Sequence, residues 1–314
     1  MPELILGQTN INNKILELLE TTKEYVIWIS MLSELTDPIL TRTINNLIKK
    51  NVKIYIYHSI NPFLNDTKTD YRLKINQMHG EYLIKKNVNH MRFLSNEKYS
   101  LFGGIDFNKK INIAGFQQHA LQVNNCKSIY NLHDYIISNK SLYNYKFQYP
   151  IIGTTSSDYS AKYNILNLIK KVNRRIIIES QYFEHKLIIK TIIDMCKNKD
   201  IQLVVIFNEN FHNNPISKKM PFTNIVKDYL KNETIKNINL IKKSNIDAKF
   251  LYFKNGYTHN KIYIFDDYFI MGTFNLNQRS FEKKNDLEIG YIIENKDIID
   301  KYLNYVNTGA IKYN

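Results

Sequence analysis

A histidine and a lysine stand two residues apart in the stretch THNKIYIFDDYFIMGTFNLNQRS, residues 258–280, at the start of an apolar run. In an extended strand, residues i and i+2 project to the same face, so one anion could contact both His259 and Lys261. The imidazole exchanges a proton near neutral pH, and the ammonium group supplies a positive charge. These residue types at this spacing favour chemistry on an anionic group.

The residues that follow the pair have polar or conformational uses of their own. Asp266 comes seven residues after the histidine, on the opposite face of the strand, where we expect a structural role. Gly272 and Thr273 predict a tight backbone turn, and Asn275 then offers an uncharged donor and acceptor. The stretch therefore predicts a polar site built at the end of a buried strand.

A second copy of this pattern lies in the first half of the chain, in NHMRFLSNEKYSLFGGIDF, residues 89–107. Thirteen residues separate His90 from Gly103, as they separate His259 from Gly272. Three further pairs align without a gap: Arg92 with Lys261, Glu97 with Asp266, and Asp106 with Asn275. The constant register indicates an internal repeat.

The elements around the two copies repeat as well. Residues 12–30 show apolar positions at helical spacing followed by a strand, and residues 162–180 show the same pattern shifted by 150 positions. A second helix and strand recur after each. Repeated helix–strand units predict an α/β fold in each half, with parallel pairing through right-handed crossovers.

The boundary between the halves is predicted near residues 147–158, where Pro, Gly and Ser interrupt the periodic segments. The expected lobes are residues 1–148 and residues 149–314. A basic, Asn-rich insertion at about 208–245 lengthens the second half, and part of it, with Lys218 and Lys219, is expected to form a surface loop.

The second copy resembles the phospholipase D superfamily. His259, Lys261 and Asp266 reproduce its H-x-K-x4-D signature, and GTFNLNQRS resembles its G-[ST]-x-N-x3-R-S run. The segments IIIESQYF and GGIDF resemble motifs of the lipid-acting branch, phospholipase D and cardiolipin synthase. The resemblance spans both halves, but the first motif is degenerate, because Arg92 and Asp106 replace lysine and asparagine and Glu97 replaces aspartate.

The resemblance implies two similar lobes, each with a mixed, largely parallel sheet flanked by helices, related by a pseudo-twofold axis. It also implies that His90 and His259 meet at the interface between the lobes. One of them attacks phosphorus to form a covalent phosphohistidine, and the other protonates the leaving alkoxide and then deprotonates water or an alcohol. Family precedent favours the first histidine as nucleophile and the intact motif favours the second, so the assignment stays open.

The resemblance also implies roles for the neighbouring residues. Lys261 and Arg92 would hold the nonbridging phosphate oxygens, with a hydrogen bond from Asn275. A carboxylate is expected on the far nitrogen of each imidazole: Glu288 for His259 and Asp134 for His90. The remaining expected site residues comprise a supporting set, Asp266, Glu97, Asp106, Gly272, Thr273 and Ser280, and two substrate contacts, Tyr182 and Phe183. No metal and no cofactor is expected.

Composition bounds the possible partners. The 314 residues include 43 Lys and Arg against 29 Asp and Glu, a formal net charge of +14, which favours a polyanion or an anionic membrane surface. The two cysteines, Cys126 and Cys196, give no disulfide framework, so a reducing compartment is expected. Without a signal peptide or a membrane-spanning run, we expect an intracellular protein, soluble or peripheral to the membrane.

Three functions remain open at this point. The first is a phosphodiesterase that hydrolyses or exchanges phospholipid headgroups. The second is a nuclease of the same superfamily, which the basic charge also suits. The third is a catalytically degenerate, membrane-associated scaffold that keeps only the fold.

Overall fold

The computed structural model describes residues 1–30, 37–59, 81–85, 90–107, 116–139, 142–208, 223–253, 257–282 and 287–312. The predicted surface loop with Lys218 and Lys219 lies outside these ranges. The later part of that insertion is helical. Within the described ranges, no helix combines the length and the apolar composition needed to cross a bilayer.

The first half of the chain builds a seven-stranded sheet with the order β1-β8-β6-β5-β2-β3-β4. Its strands are β1 (Glu3–Leu6), β2 (Tyr25–Ser30), β3 (Lys53–Ser59), β4 (Glu81–Lys85), β5 (Phe93–Asn96), β6 (Tyr99–Gly103) and β8 (His119–Asn124). The helices are α1 (Gln8–Thr21), α2 (Pro38–Lys49) and α3 (Lys127–Asn139).

The second half builds an eight-stranded sheet with the order β17-β12-β11-β10-β14-β15-β16-β9. Its strands are β9 (Ile151–Thr154), β10 (Arg175–Ser180), β11 (Gln202–Ile206), β12 (Ala248–Phe253), β14 (Lys261–Phe265), β15 (Tyr268–Gly272), β16 (Glu288–Glu294) and β17 (Ala310–Lys312). The helices are α4 (Ser160–Lys171), α5 (Lys186–Asn198), α6 (Thr223–Lys242), α7 (Gln278–Phe281) and α8 (Lys296–Gly309).

The two sheets share one strand order when equivalent strands are matched. The order from β1 to β4 in the first sheet corresponds to the order from β9 to β12 in the second, and β17 adds one strand at the edge. The predicted fold class, an α/β structure that repeats itself, is therefore confirmed. We propose that the lobes are residues 1–148 and 149–314, since the described strands of the first sheet end at Asn124 and those of the second begin at Ile151.

The expectation of largely parallel sheets is wrong. Within the two large sheets, β2-β3-β4 and β10-β11-β12 pair in parallel, and the other described neighbours are antiparallel. The reason is local. Each predicted motif strand is in fact a hairpin, β5–β6 or β14–β15, and a hairpin reverses the chain direction and so enforces antiparallel pairing.

The two sheets are joined by a shared apolar core. This core contains Ile27 and Phe93 from the first sheet together with Ile262 and Met271 from the second, all essentially inaccessible to solvent. Separate cores lie under the flanking helices of each sheet. Burial of both sheet faces explains the nearly continuous apolar runs in β2 and β10, because alternation is lost when neither face meets water.

A short two-stranded sheet connects the halves directly beside the motif histidine. It pairs β7 (Phe116–Gln117) in parallel with β13 (Tyr257–Thr258), in the register Phe116 to Tyr257 and Gln117 to Thr258. Gln118 is the next residue after β7, and His259 is the next residue after β13. The pairing therefore brings these two residues side by side.

Candidate active site

His259 lies between β13 and β14 and is only partly accessible to solvent. Lys261 begins β14, with its ammonium group 2.7 Å from the backbone oxygen of His259. Lys261 is 2% exposed, so its positive charge is almost completely buried. The two side chains lie at the head of an apolar strand, as the spacing predicted.

His90 precedes β5 and meets the second half of the chain. Its backbone N–H donates to the oxygen of Leu287 at 3.1 Å. Nδ1 of its ring lies 2.9 and 3.0 Å from the two carboxylate oxygens of Glu288, which is fully buried at the start of β16. A histidine of the first half is thus held by a carboxylate of the second half.

Neither of the two predicted pairs of a histidine and a carboxylate is correct. Glu288 was expected on His259 but contacts His90, and Asp134, expected on His90, is exposed on α3. The reason is that the contact crosses the interface between the halves. A carboxylate on β16 lies opposite the histidine of the other motif.

The partner of His259 is a residue that the sequence interpretation missed, Gln118. Nε2 of Gln118 lies 2.9 Å from Nδ1 of His259. Strand register makes Gln118 the counterpart of Glu288. Gly103 pairs with Ala120, and the equivalent Gly272 pairs with Gly290. Gln118 lies two residues before Ala120, just as Glu288 lies two residues before Gly290. An amide carries no sequence mark of this role, and the strand alignment is the signal that identifies Gln118.

Glu288 has an environment that supports its charge. Burial alone would raise the pKa of this carboxyl. The charge of His90 and hydrogen bonds from His90, Thr273 and Ser280 outweigh burial and hold the pKa of Glu288 below its usual range. The Thr273 hydroxyl donates to Glu288 at 2.5 Å. Thr273 and Ser280, both predicted supporting residues, therefore contact the carboxylate that holds His90.

The degenerate motif forms an ion pair of its own. Nε of Arg92 lies 2.5 Å from Oδ2 of Asp106, and the Arg92 and Asp106 side chains are 2% and 0% exposed. The Ser30 hydroxyl donates to the other oxygen of Asp106 at 3.0 Å. The second half has Lys261 and Asn275 at the equivalent positions, so the first half keeps the positive charge of this pair and adds the negative charge of Asp106.

Electrostatics at His259 oppose protonation of the ring. Burial lowers the pKa of His259 well below its usual range, and the charges of Lys261, Arg92 and His90 lower it further. Burial also lowers the pKa of Lys261 strongly, and Arg92 adds to that effect. A bound anion would offset these repulsions, because an opposite charge nearby favours the charged form of a cation.

A second buried carboxylate, also missed from the sequence, supports the turn that carries His259. Glu179, fully buried at the end of β10, accepts hydrogen bonds from the hydroxyl of Thr258, from Asn260 at 2.9 Å and from the hydroxyl of Tyr302 at 2.6 Å. Burial is the largest influence on this carboxyl and raises the pKa of Glu179. Both neighbours of His259 are therefore fixed to one anchor.

Asp266 and Glu97 lie at matching structural positions away from the histidines. Asp266 accepts backbone N–H bonds from residues 173–175 at 2.9 to 3.0 Å, and its own φ of 52° places it in the left-handed region. Glu97 accepts one such bond, at 3.1 Å, from Lys23, the equivalent of Asn173. Each carboxylate fastens a hairpin turn to the segment before the neighbouring strand.

The remaining predicted residues divide between packing and the site. Gly272 is required by packing rather than by a turn, since an added Cβ would lie 2.5 Å from the ring of Phe274. Tyr182 is partly accessible, and its hydroxyl accepts a bond from Gln181 at 2.9 Å. Phe183 is 1% exposed and belongs to the apolar core under the flanking helices of the second sheet. Thr234 and Asn237 of α6 bind its backbone. The predicted contact of Phe183 with substrate is therefore wrong.

Acidic, histidine and cysteine side chains do not gather into a group of three or more suited to a metal ion anywhere in the described ranges. Among the same residues, Oδ1 of Asn275 is buried without a hydrogen-bond partner. Beside the carboxylates Glu288 and Asp106, the groups near the histidines include the cations Lys261 and Arg92 and the amide of Gln118, which suit an anionic group.

Comparison with known proteins agrees with this arrangement. The structure of phosphatidylserine synthase from Haemophilus influenzae is similar with a TM-score of 0.77 and 12% identity, over 99% of this chain and 87% of that one. Polyphosphate kinase from Porphyromonas gingivalis is similar with a TM-score of 0.69 and 9% identity, over 100% of this chain and 48% of that one. At these identities the two structures establish the fold alone.

Residues 165–308 match the family model described as cardiolipin synthase, phospholipase D-like domain. This match and the repeated motifs support the resemblance of the chain to the phospholipase D superfamily. No curated protein sequence matches the chain at a significant level.

Proposed function

We propose that this protein is a phospholipase D-like phosphodiesterase that hydrolyses or exchanges phospholipid headgroups through a phosphohistidine intermediate. One observation carries the proposal. Each half contributes one imidazole, and a side chain of the opposite half holds its Nδ1: Glu288 for His90 and Gln118 for His259. With Nδ1 held in this way, Nε2 is the nitrogen of each ring that we propose to act on a substrate.

Two imidazoles can divide one phosphodiester displacement into two steps. In the first step one ring attacks phosphorus, and the other donates a proton to the oxygen of the leaving headgroup. In the second step that ring accepts a proton from water or an alcohol, whose oxygen displaces the first ring from phosphorus. Both histidines keep partial exposure, which a substrate needs in order to reach them.

The cations beside the rings suit a phosphodiester, which carries a single negative charge. Lys261 would hold a nonbridging oxygen and offset the charge that builds in the transition state. Arg92 would contribute from the first half, although Asp106 already offsets its charge. Lys261 and Arg92 thus place one cation from each half beside the histidines, which suits the single negative charge of a phosphodiester.

A lipid substrate is supported by the nature of the relatives. The matching family model is described as cardiolipin synthase, phospholipase D-like domain, and the similar structure matched over most of both chains is a phosphatidylserine synthase. The formal charge of +14 supplies attraction to an anionic lipid surface. We therefore propose peripheral binding at such a surface.

The second candidate, a superfamily nuclease, is favoured by the same net charge. Lys and Arg exceed Asp and Glu by 14, and neutralisation of backbone phosphates by such residues dominates nucleic-acid affinity. The site chemistry is the same for both substrates, because each presents a phosphodiester to the two histidines.

One assay separates these possibilities. Protein would be mixed with vesicles of phosphatidylcholine and phosphatidylglycerol and a primary alcohol, with single-stranded DNA in a parallel reaction. We expect free headgroup and a phosphatidyl alcohol, both lost in His90→Asn and His259→Asn. Cleavage of DNA without any lipid turnover would establish the nuclease, and a folded wild-type protein inert on both substrates would support the scaffold.

A further inference from the structure

Asn260, the residue between His259 and Lys261, joins the two halves of the chain through its side chain. It is 4% exposed. Its Nδ2 donates to Oε1 of Glu179 at 2.9 Å, and its Oδ1 accepts a hydrogen bond from the backbone N–H of His119 at 2.6 Å. Glu179 belongs to the second half and His119 to the first, so one amide links both halves beside the motif histidine.

These contacts continue the register of the short sheet formed by β7 and β13. At the position after the last backbone pair, the amide of Gln118 contacts His259. At the next position, the N–H of His119 reaches the side chain of Asn260. Two consecutive residues of the first half are therefore paired with two consecutive residues of the second half.

Side chains must make these contacts because the two backbones separate at this point. β8 begins at His119 in the first sheet, whereas β14 begins at Lys261 in the second sheet. His119 is fully buried, and a buried backbone N–H requires an acceptor. Asn260 supplies that acceptor where no neighbouring strand of the same sheet does.

An amide is suited to both of its partners. The ionised carboxylate of Glu179 can only accept hydrogen bonds, and the backbone N–H of His119 can only donate one. The group between them must therefore donate at one end and accept at the other. Asparagine does this with a short side chain, whereas leucine, of nearly the same volume, would do neither.

The internal repeat does not require an amide at this position. The first motif has Met91 between His90 and Arg92, and Met91 is fully buried in the apolar core that the two sheets share. An apolar side chain is thus compatible with this place in the fold. The polar link of Asn260 is a feature of the second motif, and it calls for a reason beyond the stability of the hairpin.

Glu179 holds the other end of the link firmly. It is fully buried and accepts hydrogen bonds from the hydroxyls of Thr258 and Tyr302 in addition to the bond from Asn260. Thr258 and Asn260 are the two neighbours of His259, so the backbone on both sides of the imidazole is tied to one carboxylate. Through Asn260, the same carboxylate is tied to the first half.

The position of His259 relative to the first half matters because the other imidazole comes from there. His90 is bound by Glu288 and by the backbone oxygen of Leu287, both in the second half. Two rings that act on one phosphorus atom must keep their separation closely, since a displacement of about 1 Å can cost about a hundredfold in rate.

We propose that Asn260 is a positioning residue for the reaction. By linking Glu179 to the backbone of His119, it holds His259 at the separation from His90 at which both imidazoles reach one phosphodiester. Asn260 acts through His259 and does not itself contact the substrate. This inference rests on the proposed phosphodiesterase function.

A soluble diester, bis(p-nitrophenyl) phosphate, allows kcat and KM to be measured separately. Asn260→Leu removes both hydrogen bonds at nearly constant volume. We expect kcat to fall about 10–100-fold while KM stays within about threefold, because the groups proposed to hold the phosphate remain. Thermal melting of each variant checks folding.

Asn96→Leu is the matched control. Asn96 is 1% exposed at the end of β5 remote from His90, and its amide also donates and accepts, to the backbone oxygen of Leu18 and from the backbone N–H of Lys98. This variant should melt at a lower temperature than wild type but keep kcat within about twofold.

Exchanging the two polar groups tests the bonds themselves. In Asn260→Asp/Glu179→Gln, the new carboxylate can accept from the N–H of His119, and the new amide can donate to that carboxylate. The double variant should keep kcat within about fivefold of wild type. Asn260→Asp alone places two carboxyl groups against each other, so its kcat should be lower than that of the double variant.

The outcomes separate this inference from the function on which it rests. With an active wild-type enzyme, a folded Asn260→Leu variant of nearly normal kcat overturns the role of Asn260 and leaves the phosphodiesterase in place. A double variant no more active than Asn260→Asp, or an equal loss of kcat in Asn96→Leu, overturns it as well. A folded wild-type protein inert on this diester and on phospholipid vesicles overturns the function and the positioning role together.

Discussion

The buried Arg92–Asp106 pair predicts a large and asymmetric response to mutation. The two side chains are 2% and 0% exposed, with Nε and Oδ2 2.5 Å apart. Replacing Arg92 by methionine keeps the length of the side chain but removes the cation bonded to the buried Asp106, which retains the hydroxyl of Ser30 as a donor. Loss of one partner from a buried pair costs about 3–5 kcal/mol, a large part of the roughly 5–15 kcal/mol that stabilises an ordinary protein.

The double variant Arg92→Met/Asp106→Asn provides the matched comparison. It removes both charges, and an amide oxygen can still accept from Ser30, so its loss of stability should be smaller than that of Arg92→Met by at least about 1 kcal/mol. Urea denaturation measures both values. The fluorescence of Trp28, the single tryptophan of the chain and 1% exposed in β2, reports unfolding of the same sheet.

Two results would refute this reasoning. If Arg92→Met loses less than about 1 kcal/mol, the aspartate is not an uncompensated buried charge. If the losses of stability in Arg92→Met and in Asp106→Asn alone simply add in the double variant, then the two residues do not interact in the folded protein.

Three further predictions concern titration and metals. The pKa of Glu288 is depressed by His90 and its hydrogen bonds, so its contribution to stability is present above its ordinary pKa of about 4.3 and is lost as pH falls through the folded-state value. Melting temperatures should therefore fall less steeply from pH 5 to pH 3 in Glu288→Gln than in wild type, and equal slopes would contradict the pairing. Burial, with the charge of Glu233, raises the pKa of Glu184 to about 7, so ionisation above its ordinary pKa opposes folding. Glu184→Gln should melt higher than wild type at pH 8 and similarly at pH 4, and the reverse order would be inconsistent. Activity should survive EDTA, since the proposed steps use only imidazoles; strict dependence on a divalent ion would count against them.

The repeat was readable from sequence because local patterns survive duplication. Apolar positions shifted by 150 residues predicted matching helices and strands, and the gapless register from His90 to Asp106 predicted matching motifs. The strand directions were not readable. Each motif looked like one strand, and the tight turn at residues 97–98 or 266–267 converts it into an antiparallel pair.

The sequence alone also did not predict the contacts across the interface between the two halves. The contact of Gln118 with His259 depends on the parallel pairing of β7 with β13, and strands of two residues leave no periodic signal. Gln118 was missed because the chemistry called for a carboxylate, and an amide carries no mark of that role. Phe183 was placed at a pocket by its motif, yet α6 covers it, and a single sequence does not reveal which helix packs over a strand end.

The central claim is that imidazoles from the two halves meet at a single phosphorus atom. A crystal structure of the wild-type protein with orthovanadate, which mimics a phosphoryl group in transfer, tests it most directly. The account predicts one vanadate in contact with Nε2 of both His90 and His259, with its oxygens held by Lys261. Vanadate bound elsewhere, or two imidazoles that face separate cavities, would contradict it.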